Sequence, residues 1–156
     1  MTKHEELAKD LFLEGYNCAQ AVLLAFAEDA GLDRVQAARL ASSFGAGLGG
    51  MRGTCGALSG ACMAAGLLYG YESPLAKEEK AAHYARVREL AEGFQKVWGT
   101  ILCREILGLG KEPKPVDPLP RTAEYYKTRP CAIVVETAAR VLDEYLERHP
   151  RTGEKA

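Results

Sequence analysis

Asn17-Cys18-Ala19-Gln20-Ala21-Val22-Leu23-Leu24-Ala25-Phe26 opens on a capping pair and continues as a run without a helix breaker. An Asn at a helix start accepts from the backbone N–H three residues on, and a Gln at that third position can reach back to the cap. The stretch therefore predicts a helix from Cys18 to about Asp29, carrying Val22, Leu23 and Phe26 toward a core.

The neighbouring segments repeat the pattern. Upstream, Thr2-Lys3-His4-Glu5 reads as another capping box, and Leu7, Ala8, Leu11 and Phe12 follow at helical spacing until Gly15 interrupts. Downstream, Gly31 punctuates, and Asp33 with Gln36 caps a third helix bearing Val35, Ala38 and Leu40. Thr54 is the expected N-cap of a fourth helix ending near Tyr69. Ser73-Pro74 marks the expected start of a fifth, since proline suits the first helical position. Its core face would be Tyr84, Val87, Leu90, Ala91, Phe94, Val97 and Trp98. A short helical piece from Ile101 to Leu107 and a last helix from about Pro130 to His149, burying Val134, Ala138, Val141, Leu142 and Tyr145, complete the set. No segment reads convincingly as a strand. The expected fold is a single all-α domain, a bundle of about five to six helices spanning 1–156, with 150–156 a disordered tail.

Two loops interrupt the bundle. Residues 45–53 hold five glycines in nine positions, a composition that disfavours both helix and strand because glycine loses the most backbone freedom on folding. Residues 108–120 contain four prolines and two glycines and read as one extended loop. The glycine-rich loop enters a helix, yet it lacks the Lys-Ser/Thr of a phosphate loop and follows no strand, so neither nucleotide fingerprint is met.

Composition narrows the function classes. The formal charge of −1 supplies no basic stripe for nucleic acid. No apolar run approaches the about 18–20 residues that span a bilayer. The first residues lead into a helix instead of a basic start and apolar signal run, so cytoplasmic localisation is the expectation. In a reducing compartment five cysteines are more apt to bind metal or to cycle than to form permanent bridges, and their odd number also argues against a disulfide framework.

Four of the five cysteines share a placement. Cys18 follows the Asn17 cap, Cys55 follows Thr54, Cys103 comes three residues after Thr100, and Cys131 follows Pro130, with Thr128 as a candidate cap. A helix start offers unpaired N–H groups and about half a positive charge. A thiolate there, or beside an arginine, can titrate below the free value, and Arg52, Arg104 and Arg129 stand near three of these cysteines. The thiolate is nucleophile, redox form and metal ligand alike. No C-x-x-C occurs, so any shared site must be assembled from separate helix ends. Cys62, seven residues beyond Cys55, reads as packing first.

At these residues the chain resembles a family of redox-active proteins named for a cysteine, a GCAxxG box and two further cysteines. The resemblance runs from Asn17-Cys18-Ala19-Gln20 through Thr54-Cys55-Gly56-Ala57-Leu58-Ser59-Gly60 and Cys103-Arg104-Glu105-Ile106-Leu107-Gly108 to Cys131. Here the box reads C-G-A-x-x-G, with Gly56 between Cys55 and Ala57. The resemblance implies that Cys18, Cys55, Cys103 and Cys131 are the family's four cysteines and that Cys62 is extra. It also implies a helical fold and a redox or cofactor-binding role.

The expected activity is redox or electron transfer, by a thiol- or metal-dependent oxidoreductase if it is an enzyme. The four cysteines would either ligate an iron–sulfur or zinc centre or cycle between thiol and disulfide. Arg52, Gly53, Gly56 and Gly60 are the candidate cofactor-contacting residues. The expected partners are a redox protein or a small thiol or electron donor, with a homodimer left open and neither nucleic acid nor membrane involved. The alternative is a non-catalytic helical domain for a small ligand or a protein partner, with structurally buried cysteines. His4, His83 and His149 are expected to be exposed, and Tyr125-Tyr126 to cover a pocket or join the core.

Overall fold

The computed structural model describes residues 1–151, and all eight α-helices seen there match the all-α expectation. Residues 152–156, most of the expected tail, lie outside the described residues. The helices are α1 (Lys3–Glu14), α2 (Cys18–Ala27), α3 (Arg34–Ala41), α4 (Gly56–Tyr69), α5 (Lys77–Trp98), α6 (Cys103–Ile106), α7 (Ala123–Thr128) and α8 (Cys131–Arg148). The count exceeds five to six because α6 and α7 are short pieces flanking the proline-rich loop. None among the described residues is long and apolar enough to cross a membrane.

α2 is the centre of the bundle. From Ala21 to Ala27 every residue is buried, and the helix packs on α1, α3, α4 and α8. Its small residues let α4 come close. A Cβ added at Gly60 would stand 2.6 Å from the Ala19 carbonyl oxygen, so the glycine sets the α2–α4 approach. The capping boxes form as the sequence implies: Thr2 Oγ1 accepts from Glu5 N at 3.1 Å, and Asn17 Oδ1 from Gln20 N at 2.8 Å. α8 buries all five residues expected of it.

Several local expectations are overturned. Thr54 does not cap α4. It forms an isolated antiparallel bridge with Leu102, and Cys55 takes the N-cap position with no side-chain cap bond. Ser73 does not start α5; its Oγ accepts from Leu75 N in a turn, and the helix begins at Lys77. Thr128 ends α7, so Pro130 is the N-cap of α8. On α3 the buried face is Ala37 and Ala41, while Val35 and Leu40 are exposed, because α3 touches the bundle through its smallest residues. On α5, Leu90 and Phe94 are buried but Tyr84 and Val97 face solvent. Nor are His4 and His83 exposed. His83 is buried against α4, and His4 lies between Asp29 and Asp143.

Candidate functional site

The glycine-rich loop folds by a repeated left-handed turn. Ala46, Gly47, Leu48, Gly49, Gly50 and Arg52 all have positive φ, a region that non-glycine residues enter only at a cost. The coil is closed by its own backbone bonds, Arg52 N to Ala46 O at 3.0 Å and Gly53 N to Gly47 O at 2.8 Å among them. Its final segment then runs beside the start of α6. Cys55 N donates to Ile101 O, and Cys103 N donates to Gly53 O, each at 2.7 Å. This short backbone clamp brings two cysteines distant in sequence to one place.

The starts of α2, α4, α6 and α8 converge. Cys18, Cys103 and Cys131 are the first residues of their helices and Cys55 is an N-cap. All four line one cavity of about 310 Å³. Cys18 and Cys103 each lie within electrostatic reach of the other three cavity cysteines. Gly56 makes its place: a Cβ there would lie 2.5 Å from the Cys18 sulfur and 2.6 Å from the Phe44 carbonyl oxygen. The glycine after Cys55 is thus a steric requirement of Cys18. Cys62 does not line the cavity.

The other candidate residues divide. Arg52 and Gly56 line the cavity. Gly53 contributes its carbonyl to the Cys103 N–H, and Gly60 faces the backbone of α2. Sequence reading missed Arg121, which lines the cavity and ties the proline-rich loop down by donating to Phe12 O at 2.8 Å and Tyr16 O at 2.9 Å. It lies in a loop with no cysteine near it, so nothing local marked it. The proline-rich loop itself was read only as a connection, yet Val116, Asp117, Pro118 and Leu119 form part of the cavity wall. Gly50 accommodates this strap, for a Cβ there would meet the Val116 carbonyl oxygen at 2.6 Å. Tyr125 also lines the cavity, whereas Tyr126 packs edge-on against Phe12.

The electrostatics reverse one expectation. Helix-start and loop amides do address the sulfurs: Ala46 and Ala19 backbone bonds favour the Cys18 thiolate, and those of Leu58 and Ala57 favour that of Cys55. Burial outweighs them. Desolvation, reinforced by the neighbouring sulfurs, pushes Cys18 and Cys55 well above the ordinary thiol range and Cys131 up to about 11. Burial alone pushes Cys62 up to about 11. These thiols are therefore held protonated at neutral pH, contrary to the lowered values that their helix-start positions suggested.

A zinc or iron–sulfur centre requires several thiolates around one point, with Zn–S distances of about 2.3 Å. Among the described residues no three His, Cys, Asp or Glu side chains are grouped closely enough to hold a metal ion. Electrostatic coupling reaches further than a coordination bond, so the four sulfurs share a cavity without forming a ligand sphere. The arrangement as it stands does not fit a metal centre.

Fold and site together define an all-helical protein whose helix-start cysteines wall a single cavity. The chain belongs to the family described as "Putative redox-active protein (C_GCAxxG_C_C)", whose model matches residues 16–145. No curated protein and no solved structure matches it.

Proposed function

We propose that this is a thiol–disulfide redox protein in which Cys18, Cys55, Cys103 and Cys131 cycle between thiols and disulfides inside one cavity. One observation carries the reading: four cysteines from four separate helix starts line the same cavity, while Cys62 does not. A membership in a redox-active family agrees with it. Burial holds Cys18, Cys55 and Cys131 as thiols, so a disulfide formed between any two of them releases two protons with two electrons. Arg52 singles out Cys103 by donating from Nη1 to its sulfur at 3.8 Å, a contact that strengthens as negative charge builds on the sulfur. The setting that keeps the five thiols reduced between cycles is the cytoplasm, and a small thiol or a redox protein resets them.

The test is an anaerobic preparation in which iron, sulfide and zinc are measured and free thiols are titrated before and after mild oxidant. Thiols should disappear in pairs from the cavity set while Cys62 persists. Cys55→Ser should remove one pair, and Cys62→Ser should change nothing. Stoichiometric metal in the isolated protein would replace the disulfide reading with a metal-centred one, and five unreactive thiols without metal would sink both.

A further inference from the structure

The cavity is not electrically balanced. Arg52, Arg121 and Arg129 line it against a single carboxylate, Asp117, and burial holds Cys18, Cys55 and Cys131 uncharged. Two of the three arginines are engaged elsewhere. Arg121 is spent on the Phe12 and Tyr16 carbonyls and stacks over the Phe12 ring, and Arg129 stacks over Tyr125. Arg52 differs. Only 6% exposed, it commits Nη1 to the Cys103 sulfur and leaves Nε buried with no hydrogen-bond partner among the described residues. A buried guanidinium N–H without a partner is costly, and such exceptions call for an explanation. A planar oxyanion is the group whose geometry the guanidinium edge matches.

We propose that the cavity takes a small-molecule disulfide bearing a negatively charged oxyanion group, with that group on the guanidinium of Arg52, whose Nε has no partner among the described residues, and the ligand's sulfurs beside Cys103. This rests on the thiol–disulfide reading and adds the substrate class. The volume, about 310 Å³, is at the small end of ligand pockets. It suits a compact molecule.

The chemistry balances without a further co-reactant. Cys103 releases its proton to water, and its thiolate attacks one ligand sulfur. The ligand's S–S bond breaks, a Cys103–ligand mixed disulfide forms, and one ligand thiolate leaves and takes a proton. Cys18, which lines the same cavity, then loses its proton and attacks the Cys103 sulfur. The second ligand thiol departs, leaving a Cys18–Cys103 disulfide. Two protein thiols are oxidised, and one disulfide is reduced to two thiols. Arg52 binds substrate and contacts the attacking sulfur through different edges of one group.

Three small disulfides of different charge provide the test: 3,3′-dithiodipropionate (anionic), bis(2-hydroxyethyl) disulfide (neutral) and cystamine (cationic). The oxidation rate of the reduced, folded protein with each is divided by the rate with the urea-unfolded chain. The normalised rate with dithiodipropionate should exceed the neutral one by at least about tenfold and the cationic one by more. Arg52→Met should erase that order, and Arg52→Lys should restore only part of it. Equal normalised rates in the wild-type protein overturn the proposal while leaving the redox reading intact. If none of the three oxidises the folded chain, the redox reading fails, and thermal shift with glutarate decides the anion site separately. A glutarate-dependent rise in Tm, lost in Arg52→Met, keeps the site, and no rise removes it. Because Arg52→Met can fail to fold, the charge order in the wild-type protein decides by itself.

Discussion

His4 and Arg52 are both basic side chains drawn in from solvent, and the protein treats them oppositely. His4 on α1 has a partner for each ring nitrogen, Asp143 on α8 at 2.7 Å and Asp29 after α2 at 2.5 Å, and its ring stacks on Phe26 at 4.1 Å. Both imidazole nitrogens are used to staple three segments, although the second carboxylate oxygen of Asp143 is buried with no partner among the described residues. Arg52 sits in a loop of left-handed residues, with one guanidinium nitrogen on a sulfur and another with no partner among the described residues. The contrast teaches where to look for function. A ring partnered on both nitrogens ties segments together, whereas an unpartnered N–H on a side chain that lines a cavity is poised for something the chain does not itself supply.

The largest effect should come from Gly56→Ala. With a Cβ forced to 2.5 Å from the Cys18 sulfur and 2.6 Å from a carbonyl oxygen, the start of α4 must move. A loss of about 3 kcal/mol is expected from overpacking of this kind, measured by urea unfolding. An unchanged midpoint would show that the cavity pole is as tolerant as the surface.

Next comes the pH dependence of alkylation at Cys131, followed by peptide mass spectrometry. With its thiol pushed up to about 11, the rate should climb about 20-fold between pH 9 and pH 10.5, where an ordinary thiol gains less than about twofold. A plateau near pH 9 would remove the burial argument. The same shifts have a sign for stability. The folded thiols keep protons that the unfolded chain gives up, so their contribution is complete below the ordinary thiol value. It is lost as pH rises through the folded values.

A smaller effect should follow Gly50→Ala. It places a Cβ 2.6 Å from the Val116 carbonyl oxygen at a φ of +82°, so the proline-rich strap should lift. Stability should fall by about 1 kcal/mol, and cavity thiols should label faster while Cys62 does not. Equal acceleration at Cys62 would indicate general loosening instead.

The smallest effect concerns the His4 staple. Burial alone would lower the His4 value, but the hydrogen bonds and charges of Asp143 and Asp29 together raise it above the ordinary range. A raised imidazole contributes stability that is complete below the unfolded value and fades as pH rises through the folded one. His4→Gln should therefore lower Tm by about 3 °C at pH 6 and by less at pH 8. A pH-independent loss would mean that the ring acts by packing on Phe26 alone.

Much of this was legible in the residues. Caps at Thr2, Asn17 and Asp33 were readable because an N-cap is a local bargain between one side chain and an amide three residues away. The start of α4 was not, because Thr54 is held by Leu102, a partner 48 positions further along. α3 misled for a related reason: its largest apolar residues, Val35 and Leu40, face outward, and only packing on α2 reveals that Ala37 and Ala41 are the contact. At the site, the four cysteines and Arg52 could be named from the sequence, but Arg121 and the strap could not.

By itself, then, the sequence determined an all-helical chain with four cysteines at helix starts, since caps, periodicity and glycine punctuation act over a few residues. Tertiary structure decided that the four starts meet, that Gly56 makes room for the Cys18 sulfur, and that the Cys18, Cys55 and Cys131 thiols are held protonated. Helix-start amides do favour a thiolate, as local reasoning says. Burial among other sulfurs costs the anion more, and burial is a property of the assembled fold.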